Sequence, residues 1–365
     1  MIKVLSNTTI YIKDGKIAEA GKPLVIEQGY YAVPGFIDEH THGGYGVDFM
    51  NCNYDSIESF VKKLPEEGVT AFLATTITQS SRNIESELEN LGEIIDYNNV
   101  LGAEILGIHL EGPFLNKKYK GAQTEDYILN PDISLMKEFI KASKDKIRKV
   151  TYAPELDCNY EFTKYIVKNN IIPSVGHSDG TFAEIESAVY EGLESVTHFH
   201  NGQSPHHHRR PGVVTAGLSL DELTVEIICD GIHLHRDTVK SIYKIKGIEK
   251  IVLVTDSMEA KGLCDGEYEL GGQKVIKRGN EARLIDNTLA GSCLTMIEAV
   301  KNVIEFAGCS LEEAVTMAST NPARNLKILD RKGSLDIGKD CDIVILDEKY
   351  NIIKTLCKGN VVFSA

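Results

Sequence analysis

The chain's 365 residues, 42% hydrophobic and 25% charged, have the balance of a soluble globular protein and suffice for one large barrel with an accessory module. An excess of 53 acidic over 39 basic residues leaves a formal charge of −14, which disfavours nucleic acid and anionic membrane as partners and demands a local basic patch if the ligand is phosphorylated. No run is apolar for long enough to span a bilayer, no signal-peptide pattern opens the chain, and the eight cysteines form no CxxC pair, so a cytoplasmic protein with reduced thiols is expected.

Residues 2–33 read as short strands broken by turns such as Lys13-Asp14-Gly15-Lys16. From there apolar, β-rich runs alternate with helical patterns. The runs at 32–38, 69–76, 105–111, 150–154, 171–177, 195–198, 225–230 and 251–256 predict strands; those at 57–67, 84–97, 135–143, 182–191 and 237–243 predict helices, with another from Thr295. Such alternation is the signature of a parallel sheet with helices outside it, and eight strands predict a closed (β/α)8 TIM-type barrel of the α/β class. Residues 333–363 return to short strands and turns, with Asp342-Ile343-Val344-Ile345-Leu346 as one strand. Neither end can bury a core alone, so the two are expected to pair into one small β domain, 1–33 with 326–365, beside a barrel of 34–325.

In a parallel barrel the C-terminal strand ends meet at one rim. His40 and His42 follow the first strand, Glu111 ends the third, His177 the fifth and His198 the sixth; His233 follows the seventh and Asp256 ends the eighth. Alternate residues of an extended segment share a face, so His40 and His42 can point at one ion. Imidazole and carboxylate suit zinc and related divalent ions, which makes Glu111, His177 and His198 one ligand set and His40 with His42 a second. Asp256 is the candidate acid/base, and His233 the candidate donor to a carbonyl oxygen as charge grows there. Metal-assisted amide hydrolysis is the reaction class that follows.

A lone histidine after a strand is more often structural, but several coincident strand ends argue for a site. His109 is read as standing behind Glu111 rather than as a ligand, and His200 with His206-His207-His208 as a loop cluster facing metal, substrate or solvent. The loop Asn201-Gly202-Gln203-Ser204-Pro205, continued by Arg209-Arg210-Pro211-Gly212, is the densest basic and amide-rich patch at the rim. It is where an anion would be seated. Ala290-Gly291-Ser292 allows either close backbone approach to a ligand or a tight turn before a helix.

The motifs PGFIDxHxHG, HLEGPF, GHS, THxxN, RxPG, DGIH, VTD and LAGSxLTM, in order from Pro34 to Ala323, resemble those of the N-acetylglucosamine-6-phosphate deacetylases of the amidohydrolase superfamily. The resemblance implies that the terminal segments form a small β-sandwich. It implies Glu111, His177 and His198 as principal metal ligands, with His40 and His42 as a possible second site, and Asp256 as acid/base. It further implies that His233 stabilises the tetrahedral intermediate, that Asn201, Gly202 and Arg209 bind phosphate, and that Gln123 and Ser292 line the substrate site. The implied reaction frees acetate from N-acetyl-D-glucosamine 6-phosphate, in amino-sugar catabolism or cell-wall recycling. The implied cofactor is a divalent metal, zinc first with iron, cobalt, manganese or nickel as alternatives, one or two ions per subunit; the implied assembly is a homodimer. Gln203 stands where the family commonly has methionine, and Arg210 where it commonly has an acidic residue. The competing readings are a purine deaminase, a cyclic amidase or a non-catalytic barrel; the run 150–155 lacks the strand-four lysine that many cyclic amidases carboxylate.

Overall fold

In the computed structural model, which describes residues 4–97 and 99–365, the eight runs form one sheet. Strands β1 (Phe36–Thr41), β2 (Val69–Thr75), β3 (Glu104–Glu111), β4 (Ile147–Tyr152), β5 (Ile172–Val175), β6 (Ser195–Val196), β7 (Thr224–Ile228) and β8 (Ile251–Val254) lie side by side in sequence order, every pairing parallel. Between them run α1 (Tyr54–Lys63), α2 (Ser81–Tyr97), α3 (Ile133–Ala142), α4 (Glu161–Lys168), α5 (Phe182–Tyr190), α6 (Val213–Ser219) and α7 (Arg236–Lys246), and α8 (Met296–Ala307) follows β8. Helices α4 and α6 are not among the predicted helices: α6 is seven residues of small and branched side chains, and α4, though amphipathic with Phe162 and Ile166 buried on one face, is only eight residues long. The start of α8 is fixed by a capping box in which Thr295 and Glu298 satisfy each other's backbone N–H groups.

The barrel is nearly closed. β1 and β8 form no regular ladder, and their edges are joined by the Asp256 N–H donating to the His40 carbonyl at 2.8 Å and by the Asp38 carboxylate, which accepts from the Thr255 hydroxyl at 2.6 Å. Three of the reactive residues expected to end strands lie just beyond them instead. His177, His198 and Asp256 have φ of 47°, 29° and 49°, a left-handed conformation that breaks a strand and costs a non-glycine residue about 1–3 kcal/mol. This is why β5, β6 and β8 stop two residues earlier than the sequence predicts. β4 in turn begins three residues earlier and includes Lys149. The expectation of no lysine on strand four is therefore corrected: Lys149 is fully buried, its Nζ 2.7 Å from Glu39 on β1 and in contact with Glu226 on β7. Those partners lie across the barrel, so its interior holds a charged network where branched apolar residues are usual.

At the termini, an antiparallel sheet of Thr8–Lys13, Lys16–Ala18 and Lys22–Ile26 faces another in which Tyr31–Pro34 pairs with Ile343–Leu346, followed by Ile352–Cys357 and Asn360–Ser364. Ile10, Ile17 and Ile26 share one buried cluster with Ile343, Ile345 and Leu356 from the other end of the chain. The parts of the expected units that fall on residues 1–3 and 98 lie outside the described residues. An unpredicted three-stranded antiparallel insert, Gly266–Leu270, Gln273–Arg278 and Glu281–Leu284, separates β8 from α8; its strands are rich in charge, its turns carry glycine, and it resembles a loop in sequence. All eight cysteines are free thiols. Among the described residues no helix is long and apolar enough to cross a membrane.

Candidate metal centre and active site

Two groups of buried side chains converge at the C-terminal rim. Within each of the groups Glu111–His177–His198 and His40–His42–Asp256, potential ligand atoms lie no more than 4.8 Å apart. What each imidazole can offer is set by its other nitrogen. His177 Nδ1 donates to the Tyr119 carbonyl at 2.8 Å and His198 Nδ1 to the Asn201 carbonyl at 3.1 Å. His42 Nδ1 donates to the Thr75 carbonyl at 3.3 Å, and His40 Nδ1 to the Glu226 carboxylate at 3.0 Å. A carbonyl or carboxylate oxygen can only accept, so in the neutral rings all four protons reside on Nδ1 and all four Nε2 atoms are lone pairs.

Those lone pairs face carboxylates. Glu111 Oε1 is 3.1 Å from His177 Nε2 and 2.9 Å from His198 Nε2, which are themselves 3.1 Å apart. Glu111 Oε2 is 3.1 Å from His42 Nε2 and 3.6 Å from His40 Nε2. Asp256 Oδ1 is 3.3 Å from His42 and 3.4 Å from His40, and the His40 Nε2 atom is buried without a hydrogen-bond partner. Acceptors packed this closely repel unless a cation or protons lie between them, and each oxygen of Glu111 addresses one histidine pair. The donor set fits divalent ions with nitrogen and oxygen ligands.

The electrostatics agree. Burial alone would hold His42 uncharged, yet the Asp256 and Glu111 carboxylates outweigh it and raise its pKa to about 9. His40 is likewise raised against burial by Asp256, Glu226 and Glu111. Burial works against the ionised form of Glu111, but His177, His198 and His40 hold it well below the usual carboxylate range. Asp256, similarly buried, is lowered by His40 and His42.

A cavity of about 180 Å³ opens from this cluster, lined in part by His42, Gln123, Asn201, Gly202, His233 and Asp256. His233 Nδ1 donates to Asp230 Oδ2 at 2.7 Å, while Asp230 Oδ1 accepts the backbone N–H groups of Ile232 and His233. That clamp fixes the ring and leaves Nε2 toward the cavity. Burial opposes a charge on His233, but Asp230 and Asp256 overcome it and raise its pKa. Gln123 accepts the Thr78 N–H at 2.9 Å. Gly202 has φ 59°, and a Cβ there would lie 2.9 Å from His177 Nδ1.

Two expected substrate residues do not reach this space. Arg209 is exposed on the loop beyond Gly202 and is absent from the lining, and the buried Ser292 hydroxyl donates to the Thr255 carbonyl and accepts the Leu294 N–H. His109 is no ligand: its Nε2 pairs with Thr151 Oγ1 at 2.7 Å, and its ring packs edge-on against His40. His200, His206, His207 and His208 belong to neither ligand group. Gln203 is buried and holds its own loop, donating to the Thr197 carbonyl and accepting the His200 N–H.

A family model described as the Amidohydrolase family matches residues 31–362. The chain belongs to the amidohydrolase family. It is 42% identical to an N-acetylglucosamine-6-phosphate deacetylase of Bacillus subtilis (strain 168), across 99% of this chain and 94% of that one. It is 33% identical to an N-acetylgalactosamine-6-phosphate deacetylase of Escherichia coli O157:H7, across 98% of this chain and 95% of that one. Its fold matches a crystal structure of N-acetylglucosamine-6-phosphate deacetylase from Thermotoga maritima with a TM-score of 0.90, at 38% identity and over all of both chains. The amidohydrolase family is metal-dependent, in keeping with the two ligand groups.

Sequence reasoning about this amidohydrolase missed Glu226, Lys149, Glu39 and Asp230. The first could have been found as a lone carboxylate within the apolar run of β7, and Asp230 as an acid three residues before His233. A larger cavity lies elsewhere: a groove of about 850 Å³ at the opposite rim, between the strand starts and the segment around residues 326–332. Among its cations, Arg331, Lys332 and Lys358 are already paired with Glu104, Asp340 and Asp342.

Proposed function

We propose that this amidohydrolase removes the acetyl group from N-acetyl-D-glucosamine 6-phosphate, giving acetate and D-glucosamine 6-phosphate, in amino-sugar catabolism or cell-wall recycling. The observation that carries the reading is the Glu111 carboxylate, flanked on one oxygen by His177 and His198 and on the other by His40 and His42, beside Asp256. Full-length similarity to named deacetylases supplies the substrate class. Glu111, His177 and His198 would hold one divalent ion, zinc by its donor set, and His40 and His42 a second; when bound, such an ion supplies Lewis acidity to the amide carbonyl and an acidified water.

The remaining work falls to side chains. Asp256 is ionised and faces the cluster, so it takes the proton of the attacking water and returns it to the departing amine. His233, whose positive charge Asp230 and Asp256 favour, donates as the imidazolium from Nε2–H to the carbonyl oxygen as negative charge develops. Water and amide are thereby converted to carboxylic acid and amine, and the acid's remaining proton passes to the amine, leaving acetate and an ammonium group. Gln123, Asn201 and Gly202 form the wall that receives the sugar phosphate, with Arg209 supplying charge from the loop beyond. We assign a cytoplasmic homodimer, with the barrel at 34–325 and a β-sandwich of 1–33 and 326–365.

The test is acetate release by zinc-loaded protein from the 6-phosphates of N-acetylglucosamine, N-acetylgalactosamine and N-acetylmannosamine, run beside an ammonia assay on purines. The glucosamine epimer should turn over with the highest kcat/KM, and Asp256→Asn should lower kcat by about 10²–10⁴. Preference for the galactosamine epimer would reassign the substrate; ammonia without acetate would reassign the reaction.

A further inference from the structure

We propose that Glu226 is a positioning residue that ties the two ligand groups together. Its Oε2 accepts the ring N–H of His40 at 3.0 Å and the backbone N–H of His198 at 3.0 Å. One of those residues belongs to each group. Its Oε1 is held by the Lys149 ammonium, which is anchored in turn by Glu39 at 2.7 Å, while Glu39 accepts from Asn325 at 2.7 Å. Glu226, Lys149 and Glu39 are all completely shielded from solvent.

Each contact decides something about a ligand. The His40 bond places the ring proton on Nδ1 and so turns the Nε2 lone pair toward Glu111 and Asp256. The His198 bond satisfies a backbone donor at a residue with φ 29°, whose left-handed turn carries the side chain across to Glu111. A single carboxylate therefore sets the tautomer in one group and the backbone in the other. Lys149 limits where that carboxylate can move, because its other partner, Glu39 on β1, is itself held by Asn325 near the end of the barrel segment.

Among the described residues the hydrogen-bond partners of Glu226 are three donors. A glutamine in its place brings one oxygen and one NH₂ group. In either orientation the NH₂ meets a donor: the Lys149 ammonium in one, His40 and the His198 N–H in the other. Removing the Lys149 ammonium relieves this, because the amide oxygen can then serve His40 and His198 while its NH₂ faces an apolar stem. The inference rests on reading Glu111, His177, His198, His40 and His42 as metal ligands and adds to them a residue outside both groups.

The experiment is chelator-competition titration of zinc into the full-length wild type, Glu226→Gln, Lys149→Met and the Glu226→Gln/Lys149→Met double variant, each checked for folding by circular dichroism. Glu226→Gln should weaken zinc binding by about 10- to 100-fold, the usual range for an outer partner of a ligating histidine, and the double variant should recover most of it. Wild-type affinity in Glu226→Gln overturns the proposal, as does a double variant no better than the single one. If Glu226→Gln does not fold, the double variant is compared with wild type directly: affinity within about threefold supports the proposal and a larger loss overturns it. Failure of the wild type to bind zinc or any other divalent ion would instead sink the metal reading itself.

Discussion

Gly202 shows how little room the site leaves a single residue. Its backbone is left-handed at φ 59°, and an added Cβ would meet His177 Nδ1 at 2.9 Å and the Tyr119 carbonyl at 3.2 Å. Those two atoms form the hydrogen bond that turns the His177 lone pair toward Glu111. We expect Gly202→Ala to lower stability by about 1 kcal/mol from backbone strain and, separately, to weaken ion binding by about tenfold through the displaced ring. Calorimetric Tm with zinc competition titration measures both; lowered Tm with unchanged affinity would show that the Tyr119 bond does not govern His177. The reactive histidines and acids were legible at this scale because titratable groups at the ends of apolar strands are costly unless they are used. The directions of Arg209 and Ser292 were not. A motif fixes a residue's place along the chain, and side-chain direction depends on hydrogen bonds to segments far away in sequence, such as Thr255 for Ser292.

Strands show the same division between what pattern reveals and what it hides. All eight barrel strands were visible as apolar runs, because both faces of a parallel sheet are covered. Their ends were not, since left-handed residues stop β5, β6 and β8, and the charged start of β4 masked Lys149. At the first residue of β3, Glu104 accepts both guanidinium nitrogens of Arg331 at 2.8 and 2.9 Å and lies 2.9 Å from Lys332. It thus fastens the barrel's lower rim to the segment leading into the terminal sheets. Burial tends to raise its pKa, but Arg331 and Lys332 dominate and bring it to about 2. The unfolded chain takes up this proton near its ordinary value while the folded chain does not, so the contribution is complete above that value and is lost as pH falls toward 2. We expect Glu104→Gln to destabilise the protein by about 1–3 kcal/mol at neutral pH, with the difference closing in acid. Parallel acid-unfolding curves for wild type and variant, offset equally at pH 7 and pH 2.5, would contradict this.

Across the whole molecule, the fold gathers residues from β1, β3, β5, β6 and β8 into acceptors without donors, and nothing in local sequence could show that they fit one another. The barrel topology, legible from the alternation of strand and helix, is what brings them to one rim; the interior network of Glu226, Lys149 and Glu39 holds them there. This arrangement has a consequence for the protein stripped of ions. Protons must then take the cations' place, and the rise of His42 to about 9 expresses that preference. A histidine raised in the folded state contributes its full stabilisation below its unfolded pKa and loses it as pH climbs through the folded one. In ion-free protein the His42 contribution should therefore be full below about pH 6.5, with about 3 kcal/mol of it lost by about pH 9. Zinc-loaded protein lacks this loss because its ligands are already deprotonated. The difference in Tm between the two forms should widen steadily from pH 6.5 to pH 9. Zinc binding near pH 7.5 should release about one proton or more per ion, read as a buffer-dependent enthalpy in titration calorimetry. A constant Tm gap with no proton release would mean that the imidazoles of the cluster are neutral without metal, and that the carboxylates facing them are held apart by something other than protons.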